Sequence, residues 1–194
     1  MSTPDTDRER GAVLVELAVV VPLLLLLVVG TIELGSAWSQ RLKVETAARA
    51  GARVGSGLGT DRLADYNLLQ SVRAAVTSLG IDRIRHVVVY KSTTSDGAVP
   101  PTCRTSPPTP QTGLCNVYTG TDLTRLTPSA FTGTTTCGAT APDRFWCPTA
   151  RQKVQHLGTD FLGVWIVADS PTVTRLFTVP LDLGARAVMR LEPA

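Results

Sequence analysis

Arg8-Glu-Arg-Gly-Ala-Val-Leu-Val-Glu-Leu-Ala-Val-Val-Val-Pro-Leu-Leu-Leu-Leu-Leu-Val-Val-Gly-Thr-Ile32 is the stretch on which the architecture turns. From Ala12 to Ile32 there are 21 residues, and Glu16 is the only ionisable one. At 1.5 Å of rise per residue this is roughly 30 Å of helix, the thickness of a bilayer's hydrocarbon core. The spacing therefore predicts a membrane-spanning helix. Pro22 withdraws one backbone donor inside it and predicts a bend, which membrane helices tolerate.

Glu16 is the anomaly. A carboxylate at the centre of a span costs about 2.5 to 3.5 kcal/mol on insertion scales, and such residues mark function. Glu16 lies one turn into the tract, where an acid also complements the positive end of the helix dipole. The bland alternative is a carboxylate snorkelling to the interface.

Outside the span, the helical spacing of Leu34, Ala37, Trp38, Arg41, Leu42, Glu45, Ala48 and Ala52 carries the helix to about Val54, with small residues that let another helix approach. Gly55-Ser-Gly57-Leu-Gly59 is expected to end it. This cluster lacks the spacing and the Lys of a phosphate-binding loop and follows a helix, so it reads as a hinge. A second helix is expected from Arg62 to Leu79, capped by Thr60 or Asp61, striped by Leu63, Leu69, Val72, Val76 and Leu79, and stopped by Gly80.

Ile84 to Lys91 is apolar on both faces and reads as a central strand. Cys115 to Thr119 is a short strand, and Leu162 to Ala168 a second strong one. From Leu181 to Leu191, apolar side chains alternate with Asp182, Arg186, Arg190 and Glu192, the period of a half-buried antiparallel strand. Short helical turns are expected at Asp122 to Leu126 and Ala150 to Leu157, and a turn of helix from Ser170-Pro171 through Phe177. The fold class is α+β: a long N-terminal membrane helix running into a domain in which a second helix packs on a small antiparallel sheet. The division is 1–11 leader, 12–56 transmembrane and extended helix, and 57–194 extracytoplasmic domain with a loop-rich insertion at 92–160.

Cys103, Cys115, Cys137 and Cys147 all fall in that insertion and form no Cys-x-x-Cys pair. An even count in loops beyond a membrane helix reads as two disulfides outside the cytoplasm. Of three possible pairings, Cys103 with Cys115 and Cys137 with Cys147 close the shortest loops. His86 reads as an edge-of-core histidine, since His156 lies at no ligand spacing from it. No metal or cofactor is expected.

The net charge of +3, from 19 basic and 16 acidic residues without a run, gives no footprint for nucleic acid. Aromatic residues make up 5% of the chain, too few for a ring-lined sugar cleft. No paired nucleophile and base and no metal spacing appears, so the chain reads as a structural component and not an enzyme. Asp5, Asp7 and Glu9 against two arginines, together with the length of the tract, argue against a secretory signal peptide cut at Gly35-Ser-Ala37. The basic residues Arg41, Lys43 and Arg49 beyond the span mildly favour that side as cytoplasmic. The cysteines outweigh them and put the leader inside and the domain outside.

Gly11, with Glu16 as the fifth residue after it, resembles the type IV prepilin processing pattern. More closely, Arg10-Gly-Ala-Val-Leu-Val-Glu16, Val21-Pro-Leu-Leu-Leu-Leu-Leu27, Glu33-Leu-Gly35 and Glu45-Thr-Ala-Ala-Arg-Ala-Gly-Ala-Arg53 resemble the TadE-like tight-adherence pilus proteins. Phe161-Leu-Gly-Val-Trp-Ile166 and Ala187-Val-Met-Arg-Leu-Glu-Pro193 fit more loosely. Leu17 and Leu34 stand where the family commonly has an aromatic after each acid. The resemblance implies a minor pilin or pseudopilin of the cell membrane, with its domain extracytoplasmic or on a surface pilus that serves adhesion. It implies membrane lipid, a prepilin peptidase, other pilins and the assembly platform as partners. Cleavage after Gly11 would leave an α-amino cation on Ala12, the natural partner for Glu16 of the same or a neighbouring helix. The rival reading is a membrane-anchored extracytoplasmic binding domain whose helix is only an anchor.

Overall fold

The computed structural model describes residues 6–94, 96–131, 137–153, 158–170 and 181–192. Helix α1 runs Thr6–Leu58 without a break, about 80 Å at 1.5 Å per residue, with Pro22 inside it. It continues through Gly55 and Gly57 and ends at Leu58, where Gly59 takes φ +54° and returns its N–H to the Gly55 carbonyl at 3.0 Å. The expected end near Val54 is therefore too early. Gly55 serves packing and not a turn, since a Cβ there would lie 2.6 Å from a Leu68 methyl. Gly51 does the same against Val72, also at 2.6 Å.

Helix α2 spans Ala64–Ala75, shorter at both ends than its apolar stripe predicts. Asp61 accepts from the Leu63 N–H at 2.7 Å and so caps the turn leading into the helix. At the other end tight turns run to Gly80, whose φ of +99° only glycine adopts freely. Leu68, Leu69, Val72, Val76 and Leu79 are buried against α1 and the sheet.

The sheet has four strands, β1 Ile84–Ser92, β2 Cys115–Thr119, β3 Phe161–Ser170 and β4 Leu181–Arg190. Their order is β2-β1-β3-β4, and every pairing is antiparallel. β1 is central, as its two apolar faces predict, and pairs Val88 with Val117 on one side and Trp165 on the other. β4 is an edge strand. Leu183, Ala185, Ala187, Met189 and the following Leu191 face the core, as the period of two requires.

Two layers of apolar side chains follow from this sheet. On one face α1 and α2 pack over Val87, Val89, Leu162, Val164 and Ile166. On the other, the segment after β1 folds back so that Val99, Cys103 and Leu114 cover Val88, Tyr90, Trp165 and Val188. The Cys103–Cys115 disulfide closes that cover onto β2, and Cys137–Cys147 closes the later part of the insertion. The Tyr90 ring lies over Gly163, where a Cβ would be 2.2 Å from it, and its hydroxyl donates to the Gly97 carbonyl at 2.8 Å.

Short helices α3 Gly120–Thr124 and α4 Pro128–Phe131 and a 3-10 turn at Pro148–Ala150 punctuate the insertion. α3 starts two residues earlier than expected because Thr119 and Asp122 form a reciprocal cap. A 3-10 turn is found at Pro148–Ala150, while residues 154–157 of the turn expected at Ala150 to Leu157, including His156, lie outside the described residues. The helical turn expected from Pro171 to Phe177 also lies outside them.

Candidate functional site

α1 carries two environments on one backbone. From Val13 to Val28 its side chains are exposed in every direction, with Leu14 65%, Leu23 58% and Leu27 67% accessible. Glu16 and Pro22 lie within this exposed stretch, and Gly11 and Ala12 lie on helical backbone just before it. Farther on, Gln40, Val44, Ala47, Ala48, Gly51, Ala52, Gly55 and Ser56 are buried, an i, i+3, i+4 stripe. This face is rotated from the one expected, since Leu34, Trp38, Arg41 and Leu42 stay exposed. Smallness decides the rotation: Ala47, Gly51 and Gly55 present no bulk, so α2 closes on that side. Among the described residues α1 is the one helix long and apolar enough to cross a membrane.

A buried polar cluster that sequence reading missed fixes α2 to the insertion. Asp65 and Arg151 are fully buried and form an ion pair at 2.6 Å. The other Asp65 oxygen accepts from the Tyr118 hydroxyl at 2.7 Å and the Asn116 amide at 3.0 Å. Asn116 also binds the Trp146 main chain in both directions, at 2.8 and 3.0 Å, while Arg151 stacks 4.2 Å over the Trp146 ring. Burial, and then the Asp65 charge, push the Tyr118 phenol well above its usual range. Asp143 is buried beside them with neither carboxylate oxygen hydrogen-bonded. Burial, and then the Asp65 charge, raise its carboxyl to about 6. One signal was available: Asp65 falls on the α2 stripe of Leu69, Val72 and Val76, where a lone carboxylate requires a buried partner.

A cleft of about 900 Å³ lies at the β4 edge of the sheet, between α1, the first half of β4 and the loop at Arg104. Arg85 joins Asp169 at 2.9 Å and also pairs with Asp182 at its rim, and Glu45 pairs with Arg49 at 2.5 Å. His86, at a wall of the cleft, has its imidazole held below the usual value by burial and then by the Arg85 charge. The described residues hold no group of three or more metal-ligating side chains.

A long helix, apolar and bare at one end and built into the core of a small α+β domain at the other, defines a domain carried on a candidate membrane helix. Residues 11–53, which lie in that helix, match the family model of TadE-like protein, bearing out the resemblance over that segment. No curated protein and no solved structure matches the chain. The match connects the chain to tight-adherence pilus proteins, a structural family, and with the apolar helix it supports membrane association.

Proposed function

We propose that this chain is a pseudopilin-like component of tight-adherence pilus biogenesis, a single-pass protein with residues 1–11 cytoplasmic and the α+β domain outside. A prepilin peptidase cuts between Gly11 and Ala12, and the mature helix docks with other pilins or the assembly platform. What carries this reading is a coincidence of boundaries. The family match ends at Arg53, within the last turns of α1, so it covers the bare apolar half and the buried half of that helix together.

Chemically, the cut exchanges a charged leader for one amine at the helix start. A cation on Ala12 of one helix offsets the burial of Glu16 on its neighbour only when the two are well aligned, which gives the pair a role in register. An all-round apolar surface suits a helix that moves from lipid into a bundle of like helices. The domain and its two disulfides remain outside.

Intact-mass measurement of protein from cells with a cognate peptidase should give a chain starting at Ala12, and Gly11→Leu should leave the full-length precursor. Glu16→Gln should still be cut but should drop out of assembled pili or of crosslinked complexes with other pilins. A Gln variant that assembles like the parent would reduce Glu16 to a snorkelling acid.

A further inference from the structure

The cleft collects more arginines than acids, although the exposed Asp96 carboxylate lies within electrostatic reach of Arg186. Arg41, Arg104 and Arg186 line it, and none has an ion pair among the described residues. The acids on its walls are engaged elsewhere, Glu45 by Arg49 and Asp182 by Arg85. Arg104 lies 6.0 Å over the Trp165 ring, which gives the cleft an apolar floor beside its charge.

The height of the cleft along α1 follows from helix geometry. Arg41 is about 14 Å past Ile32, and Trp38 about 9 Å, at 1.5 Å per residue. Headgroups extend roughly 5 to 8 Å beyond the hydrocarbon on each side, and an arginine side chain reaches back toward them. A track also connects the two levels. Leu34, Trp38, Arg41 and Glu45 follow one another at i+4, i+3 and i+4, so they share a helix face. Leu34 is 73% and Trp38 60% exposed, so large apolar side chains lie bare between the span and the cleft wall.

We propose that this cleft binds the headgroup of an anionic phospholipid from the adjacent leaflet, with the phosphate on Arg41, Arg104 and Arg186 and an acyl chain along Trp38 and Leu34. The proposal rests on α1 spanning the bilayer as argued above. An acidic peptide would satisfy the arginines equally, but it has no use for the apolar track that leads down to the bilayer. Bound lipid would hold the domain upright on the membrane surface until the helix leaves for the filament.

The test uses the full chain in nanodiscs of phosphatidylcholine alone or with phosphatidylglycerol, read by hydrogen exchange. Phosphatidylglycerol should slow exchange about tenfold in the segments around Arg104 and Arg186. Each of Arg41→Glu, Arg104→Glu and Arg186→Glu should weaken that effect about fivefold while α2 amides keep their protection. Soluble glycerophosphate or inorganic phosphate, added to phosphatidylcholine discs, should not reproduce it. Equal protection by those anions, or by polyglutamate, would overturn a lipid source, and no protection by phosphatidylglycerol would overturn the site. Should residues 13–32 exchange freely in both discs, it is the spanning helix that fails.

Discussion

The two halves of α1 are helical for different reasons. In the lower half the side chains are mostly Leu and Val and are exposed on all sides, so no tertiary packing holds the helix and it rests on its own backbone hydrogen bonds. In the upper half a stripe of Ala, Gly and Val is buried under α2 and the sheet, and tertiary packing holds the helix. The same residue type behaves oppositely in the two halves. A Cβ at Gly30 or Gly35 would meet nothing within 4 Å, whereas one at Gly51 would collide with Val72.

The comparison breaks most completely if α2 is released from the insertion. Arg151→Leu leaves Asp65 charged and buried with only two neutral donors, and should cost the domain about 3 to 5 kcal/mol. Urea unfolding in detergent, followed by tryptophan fluorescence, should show the loss while the lower half stays helical by circular dichroism. Equal stability would mean that the ion pair is not what seats α2.

A smaller loss should come from Gly51→Val, about 1 to 3 kcal/mol, because valine must displace the equally stiff Val72. Gly35→Val should leave the unfolding midpoint of the isolated protein unchanged. If both variants unfold alike, the two halves are not distinguished by packing.

The smallest effect concerns pH. Asp143 is raised to about 6 from an ordinary 3.8, so the folded state holds that proton more tightly than the unfolded chain. Its contribution is therefore fully favourable below about 4, declines as pH rises to about 6 and stays lost above. Asp143→Asn removes the ionised form and should stabilise the domain by about 1 to 2 kcal/mol at pH 7.5, with the gain shrinking toward pH 4. An unfolding series showing no pH-dependent difference between Asp143 and the Asn variant would remove this carboxyl from the account.

Periodic features were legible in the sequence. The long apolar helix, the central β1 and the alternating β4 follow from hydrophobic spacing, and the clustering of the four cysteines anticipated a disulfide-stapled insertion. Features made by long-range convergence were not. Asp65, Asn116 and Arg151 are far apart in the chain, and only the misfit of Asp65 on its stripe hinted at them. Gly55 and Gly57 were read as a stop because glycine breaks an isolated helix, yet the helix runs through both, and at Gly55 a neighbouring helix needs the space. The cleft requires β4 to lie beside β3, which no local pattern encodes.

The absence of any break between the two halves of α1 makes the helix a crankshaft. With 3.6 residues per turn, each residue inserted between Ile32 and Gln40 would swing the domain by about 100° around the axis relative to the face that the lower half presents. The azimuth of the lower half is thereby locked to the bearing of the domain, and torque applied at one end is delivered to the other.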